Sequence, residues 1–162
     1  MAGGMGMKQW KVYGFWIGLS EAVGVISGLL SRDGMARYGA TAIQPPLAPP
    51  NWLFPVVWVI LYALMGIGAA RIWLAEDSAE RKQGLNLFVA QLVVNFFWSL
   101  IFFNLQAYGF ALVWLIMLWI LVAWMILTFL KVDKTAAYLQ IPYLIWLTFA
   151  AYLNTAVWVL NS

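Results

Sequence analysis

No cysteine and no histidine occurs among the 162 residues of the chain. Their absence removes disulfides, thiolate metal sites, imidazole general bases and histidine-ligated haem together. Charge is nearly as scarce: nine Lys/Arg and six Asp/Glu make up 9% of the sequence, where a soluble domain carries about 25%. Proline is rare as well, and five of the six prolines crowd into QPPLAPPNWLFPVVW, residues 44–58. What fills the chain is apolar: 65% of it is hydrophobic, with eleven tryptophans. These proportions describe an integral membrane protein that leaves no soluble domain once its spans are counted. The net charge of +3 is spread thinly between apolar runs, so it reports membrane topology, and no nucleic-acid partner is expected.

A bilayer core about 30 Å thick takes roughly 20 helical residues to cross. Five stretches of that length appear, at about 12–31, 53–74, 85–105, 108–130 and 136–160. Long apolar runs satisfy their own backbone hydrogen bonds as helices, whereas a barrel needs short alternating segments. The expected fold class is therefore all-α, a five-transmembrane-helix bundle forming one membrane domain over residues 12–160. Residues 1–11 read as an N-terminal tail, with AGGMG at 2–6 resembling an expression scar, and no small-residue cleavage site follows the first span. Residues 32–52 form the one long connector, expected as a loop whose proline-rich end is extended and stiff, with Pro55 inside the first turn of the second span. Short connectors elsewhere make neighbouring helices antiparallel.

With five spans, Lys8, Lys11, Arg71, Arg81, Lys82, Lys131 and Lys134 fall on one side and Arg32 and Arg37 on the other. Cytoplasmic loops collect Lys and Arg, so the N-terminus is expected in the cytoplasm and the first loop and C-terminus across the membrane. Gly14 with Gly18, Gly24 with Gly28, and Gly66 with Ala70 form small-xxx-small pairs. Such pairs let helix backbones approach closely, either within the bundle, the expected use, or at a homodimer seam.

Polar chemistry at membrane depth has to come from aromatic and amide side chains. Phe54, Trp58 and Tyr62 recur every four residues on the second span and share a face. Gln91, Asn95, Trp98 and Phe102 do so on the third, and Tyr143, Trp146, Ala150 and Asn154 on the fifth. Each stripe sets flat rings beside hydrogen-bonding groups, as the wall of a ligand cavity would. The plain alternative is interfacial belts and interhelical glue. It suits Trp114, Trp119 and Trp124, whose spacing of five turns each ring about 140° from the last. Glu21 is the one acidic residue near mid-span, either a functional carboxylate or a protonated acid hydrogen-bonded to a facing helix.

Three ordered segments, PPLAPPNWLFPVVWVILYALMGIG at 45–68, QLVVNFFWSLIFF at 91–103 and PYLIWLTFAAYLN at 142–154, carry a family resemblance. From Gly24 to Asn154 the chain resembles the TspO/MBR family, the bacterial tryptophan-rich sensory proteins and the mitochondrial translocator proteins or peripheral-type benzodiazepine receptors. The resemblance implies a five-helix bundle, often a homodimer in a bacterial cell membrane, with a pocket under the first loop for porphyrins and other aromatic ligands. Protoporphyrin IX and haem are the implied porphyrins, and the implied roles are sensory or stress-related, with slow light- and oxygen-dependent porphyrin degradation. Trp58 and Trp146 match family positions tied to porphyrin binding and breakdown, and they are the only residues to which a catalytic role would fall. Asn95 and Trp98 match pocket positions, Ala150 a position where side-chain size affects binding, and Tyr38 and Pro49 match loop positions at the pocket edge. Phe54, Tyr62, Tyr143 and Asn154 complete the ligand-binding set on their stripes. Arg32 and Arg37 are candidates for the propionate arms.

No cofactor is required beyond porphyrin as ligand, no metal ligands are expected, and no conventional enzyme is implied, because general acid–base chemistry lacks its usual players. The alternative function is a transporter of tetrapyrroles or amphipathic small molecules. One departure stands out. The mitochondrial members carry a sterol motif ending in Arg after a fifth-span Tyr, whereas Tyr152 is followed by LNTAVWVLNS, so specific cholesterol binding of that kind is not expected.

Overall fold

The computed structural model describes residues 6–162, so the readings on residues 1–5 lie outside it. Its helices are α1 (Met7–Leu30), α2 (Arg32–Thr41), α3 (Leu53–Leu74), α4 (Ala79–Ser99), α5 (Tyr108–Leu130), α6 (Lys134–Tyr138) and α7 (Ile141–Leu160). A π-helical turn, Leu100–Asn104, continues α4. Among the described residues, five segments are long and apolar enough to cross a membrane: Lys8–Leu30, Leu53–Leu74, Ala79–Asn104, Tyr108–Leu130 and Lys134–Leu160. The protein is an integral, multi-pass, all-α membrane bundle.

The second and fourth spans keep the boundaries that hydropathy sets, and the other three begin earlier. Residues 7–11, read as tail, belong to α1. The third span starts at Ala79 because the Ser78 side chain accepts a hydrogen bond from the Arg81 amide at 3.0 Å and Glu80 lies in the first turn, favourable beside the helix dipole. The fifth starts at Lys134, capped by Asp133, which accepts from the Ala136 amide at 2.9 Å. It then breaks before α7. Pro142 has no N–H to offer the Tyr138 carbonyl, so α6 ends there and the helix restarts one turn on with proline in its first turn.

The first loop differs most from expectation, since residues 32–41 are helical. Only residues 42–52 form a non-helical strap. Two tight turns shape it, Ala48 N to Pro45 O at 3.3 Å and Leu53 N to Pro50 O at 3.0 Å. Leu47 is the third residue of the first turn, at φ 69°, a left-handed conformation that leucine adopts only at a cost.

α1 packs chiefly on α3, and α5 packs on both α4 and α7. Glycine sets the first of these distances. A Cβ on Gly66 would run into the α1 backbone at Ile17 and Trp16, and one on Gly24 would run into the Tyr62 ring. Gly14, Gly18 and Gly28 meet nothing within 4 Å, so close packing inside the chain uses Gly24 of the second α1 pair and neither glycine of the first. At the end of the bundle opposite the strap, Arg71 on α3 donates Nε and Nη2 to the Asp133 carboxylate at 3.2 and 3.0 Å, tying α3 to the cap of α6. Burial acts to raise the Asp133 pKa, but the Arg71 guanidinium and the Ala136 and Thr135 amides outweigh it and hold the carboxyl below its ordinary value.

Candidate functional site

The aromatic stripes of α3 and α7 meet. Trp58 lies against Tyr62 (centroids 5.5 Å), Tyr143 (6.2 Å) and Trp146 (6.5 Å), and Phe54 closes on Trp146 at 5.9 Å. Most of these contacts are edge-to-face, the arrangement that the quadrupole of an aromatic ring favours. Phe54, Trp58 and Trp146 are only half-buried, so parts of their ring faces stay open.

Beneath them the amides are tied to tyrosine hydroxyls. The Tyr62 hydroxyl donates to Asn95 Oδ1, Asn95 Nδ2 donates to the Tyr143 hydroxyl at 2.8 Å, and that hydroxyl donates to Gln91 Oε1 at 2.8 Å. Gln91 Nε2 reaches the Met65 sulfur at 3.8 Å. All four polar residues are buried, Tyr143 at 1% exposure and Gln91 at 0%. A second relay lies nearer the strap, where Trp98 Nε1 donates to Asn154 Oδ1 at 3.2 Å and Asn154 Nδ2 to the Tyr108 carbonyl at 2.8 Å. Asn95, Tyr143 and Asn154 thus brace three helices against one another, with the ring surfaces lying outside the amides. Ala150 is buried one turn beyond Trp146.

The strap descends along α7 toward these rings. Asn161 grips the Ile43 backbone at two points, accepting from its amide at 2.9 Å and donating to its carbonyl at 2.9 Å. The Tyr152 hydroxyl donates to the Pro46 carbonyl at 2.8 Å. Pro45 is buried and Pro49 half-buried, which carries the chain to Phe54 at the head of the aromatic cluster. Sequence periodicity gave Asn161 no prominence, and Tyr152 entered only through the sterol motif. Neither residue's bond to the strap has a signature along the chain, because the partners lie more than a hundred positions apart.

α2 is anchored to the π-helical turn. Gly34 lies so close that a Cβ there would fall 2.7 Å from the Phe103 carbonyl. Arg37 Nη2 donates to the Asn104 carbonyl at 3.1 Å, while the Asn104 side chain donates to the Leu30 carbonyl at 2.8 Å. Tyr38 lies against Phe102 and Phe103 at 5.4 and 5.3 Å, away from the Trp58 cluster. Burial pushes its phenol up to about 12, with the Tyr108 phenol adding to the effect, so it stays neutral at any ordinary pH. Arg32 is exposed at the start of α2. Glu21 is half-buried on α1, one turn before the glycine that abuts Tyr62. Trp114 donates to the Val94 carbonyl at 2.7 Å and Trp119 to Thr148 at 2.9 Å, while Trp124 is exposed on the bundle surface.

The profile of the TspO/MBR family matches residues 16–159. The chain is 37% identical to the tryptophan-rich protein TspO of Chlorobaculum tepidum over 158 residues, covering 95% of this chain and 98% of that one. Identity to the tryptophan-rich sensory protein of Cereibacter sphaeroides is 38%, covering 94% and 93% of the two chains. Identity to the human translocator protein is 34%, covering 90% and 86%. A match over nearly the whole bundle, with the aromatic stripes of α3, α4 and α7 inside it, means that the chain belongs to the TspO/MBR family.

Proposed function

We propose that the protein is a membrane receptor for porphyrins, protoporphyrin IX foremost and haem second, and for other flat aromatic ligands. The supporting observation is the half-open cluster of Phe54, Trp58 and Trp146 at the foot of the strap. A tetrapyrrole is a broad apolar disc, and indole and phenyl faces bind such discs by stacking and area burial. Arg32 and Arg37 are the cations on the strap side, suited to the propionate arms, and Arg37 keeps donors beyond the one it gives to Asn104. Neither histidine nor cysteine is present to serve as an axial haem ligand, which favours the free-base porphyrin. Under light and oxygen the bound porphyrin is degraded slowly, with Trp58 and Trp146 as its reaction partners, in a sensory or stress role.

The protein works as a homodimer in a bacterial cell membrane, N-terminus in the cytoplasm, with the strap and C-terminus outside. Binding is preferred to transport because transporters place broken helices at mid-membrane, whereas the α6–α7 break and the π-helical turn lie toward span ends. Protoporphyrin IX should quench tryptophan fluorescence saturably in detergent, more weakly in Trp58→Phe and Trp146→Phe. Equal affinity in both variants would remove the site, and protein-dependent porphyrin flux into sealed vesicles would restore the transport reading.

A further inference from the structure

From the foot of the strap a line of rings leads outward. Trp58 and Trp146 stand 6.5 Å apart, Trp146 and Phe149 5.5 Å, and Phe149 and Tyr152 6.2 Å, the last pair stacked at 28°. The line starts at half-buried indoles and ends on a phenol that is 41% exposed beside the strap. Two other phenols also touch Trp58, those of Tyr62 and Tyr143, and they are 6% and 1% exposed.

We infer that this ladder is a conduit for oxidising equivalents, carrying an electron hole from Trp58 to Tyr152. A one-electron oxidant held against Trp58, such as a photoexcited aromatic macrocycle, takes one electron and is reduced by one. The indole radical cation left at Trp58 is refilled from Trp146, and Trp146 is refilled from Tyr152. Phe149 is too hard to oxidise to hold the charge and serves as the bridge between them. Tyr152 ends as a neutral phenoxyl radical, its proton passing to water at the strap.

Proton release decides the direction. A phenol gives up an electron readily only when its proton can leave. The hydroxyls of Tyr62 and Tyr143 donate to the amide oxygens of Asn95 and Gln91, which are not bases, inside a sealed bundle. The Tyr152 hydroxyl also donates to an amide, the Pro46 carbonyl, but on the outside of the bundle against the non-helical strap, whose unpaired backbone groups call for water rather than lipid. The exposed phenol is therefore the thermodynamic end of the line. Such a conduit would spare the pocket indoles from repeated oxidation.

That benefit rests on the photochemical side of the function proposed above, but the ladder does not, so the test injects the hole without a porphyrin. The chain has no cysteine, so Val59→Cys, next to Trp58 and exposed, offers one attachment point for a ruthenium polypyridyl photo-oxidant. Flash-quench excitation of the labelled protein, followed by transient absorption and electron paramagnetic resonance, separates tryptophanyl from tyrosyl radicals. The expected product is a tyrosyl radical that is lost in Tyr152→Phe, where the tryptophanyl radical accumulates instead. Trp146→Phe, which keeps a ring in place, should likewise abolish the tyrosyl signal. Gly18→Ala, which meets open space away from the ladder, should leave the radical yield unchanged. A tyrosyl signal undiminished in Tyr152→Phe, or arising at an unchanged rate in Trp146→Phe, would overturn the inference. Porphyrin affinity is measured separately, so failure of the conduit and failure of the pocket are told apart.

Discussion

Replacing Tyr143 by Phe removes one oxygen atom and two hydrogen bonds. Asn95 Nδ2 loses its acceptor and Gln91 Oε1 loses its donor, each in a side chain at most 5% exposed. In soluble proteins an orphaned buried polar group costs about 1–3 kcal/mol. Within membranes the measured coupling is smaller, averaging about 0.6 and reaching about 1.7 kcal/mol per bond, because the unfolded chain in lipid also finds partners. Two bonds therefore set the expected loss at about 1–3 kcal/mol, with almost no change in packed volume. Tyr62→Phe removes only the bond to Asn95 and should cost about half as much. Reversible unfolding in detergent or bicelles reads both values, and a double-mutant cycle with Gln91→Leu isolates the Tyr143–Gln91 term. The two changes should couple by more than the roughly 0.3–0.5 kcal/mol scatter of independent sites. Additive losses, or a larger cost for Tyr62→Phe than for Tyr143→Phe, would refute the picture of a chain of bonds centred on the Tyr143 hydroxyl.

Three further outcomes are expected. Asn161→Ala removes both bonds to Ile43; at about 0.5–1.5 kcal/mol each, stopped-flow release of bound protoporphyrin IX should quicken by roughly tenfold while helix content by circular dichroism stays constant. Gly66→Ala forces a methyl group into the α1 backbone and should destabilise the bundle by about 1–3 kcal/mol in the same unfolding assay, whereas Gly18→Ala, with open space around it, should be close to neutral. The Asp133 pKa is lowered from 3.8, so the Arg71 pair stabilises the fold above that pH and the gain disappears as pH falls through the lower folded value. Denaturation at descending pH should show a loss of roughly 1 kcal/mol or less, absent in Asp133→Asn.

Continuous apolar runs made α3 and α5 readable to the residue, since nothing in them competes with a membrane span. The first turns of α4 failed the same test because AERKQG is polar, and it is the Ser78 cap, not hydropathy, that extends the helix there. α2 was invisible for a different reason. RDGMARYGAT holds two glycines and no apolar period, and it gains its order by docking Gly34 and Tyr38 on the π-helical turn. Helical spacing put Trp58 and Tyr62 on one face, where their rings lie 5.5 Å apart. Spacing within one helix says nothing about what a face meets, so the bonds that tie Asn95 and Gln91 to the Tyr62 and Tyr143 hydroxyls appear only in the tertiary structure.

The bracing of Gln91, Asn95, Tyr62 and Tyr143 limits how a protein of this design drifts toward new ligands. Any change at these four positions is felt first as instability, so selection for a different guest is steered away from them. The freer positions are those whose loss breaks no buried bond: Phe54, Trp146, Ala150 and the strap between residues 42 and 52. On the proposed function, a lineage exploring those sites would trade one flat guest for another of different breadth or thickness while its interior scaffold stays still.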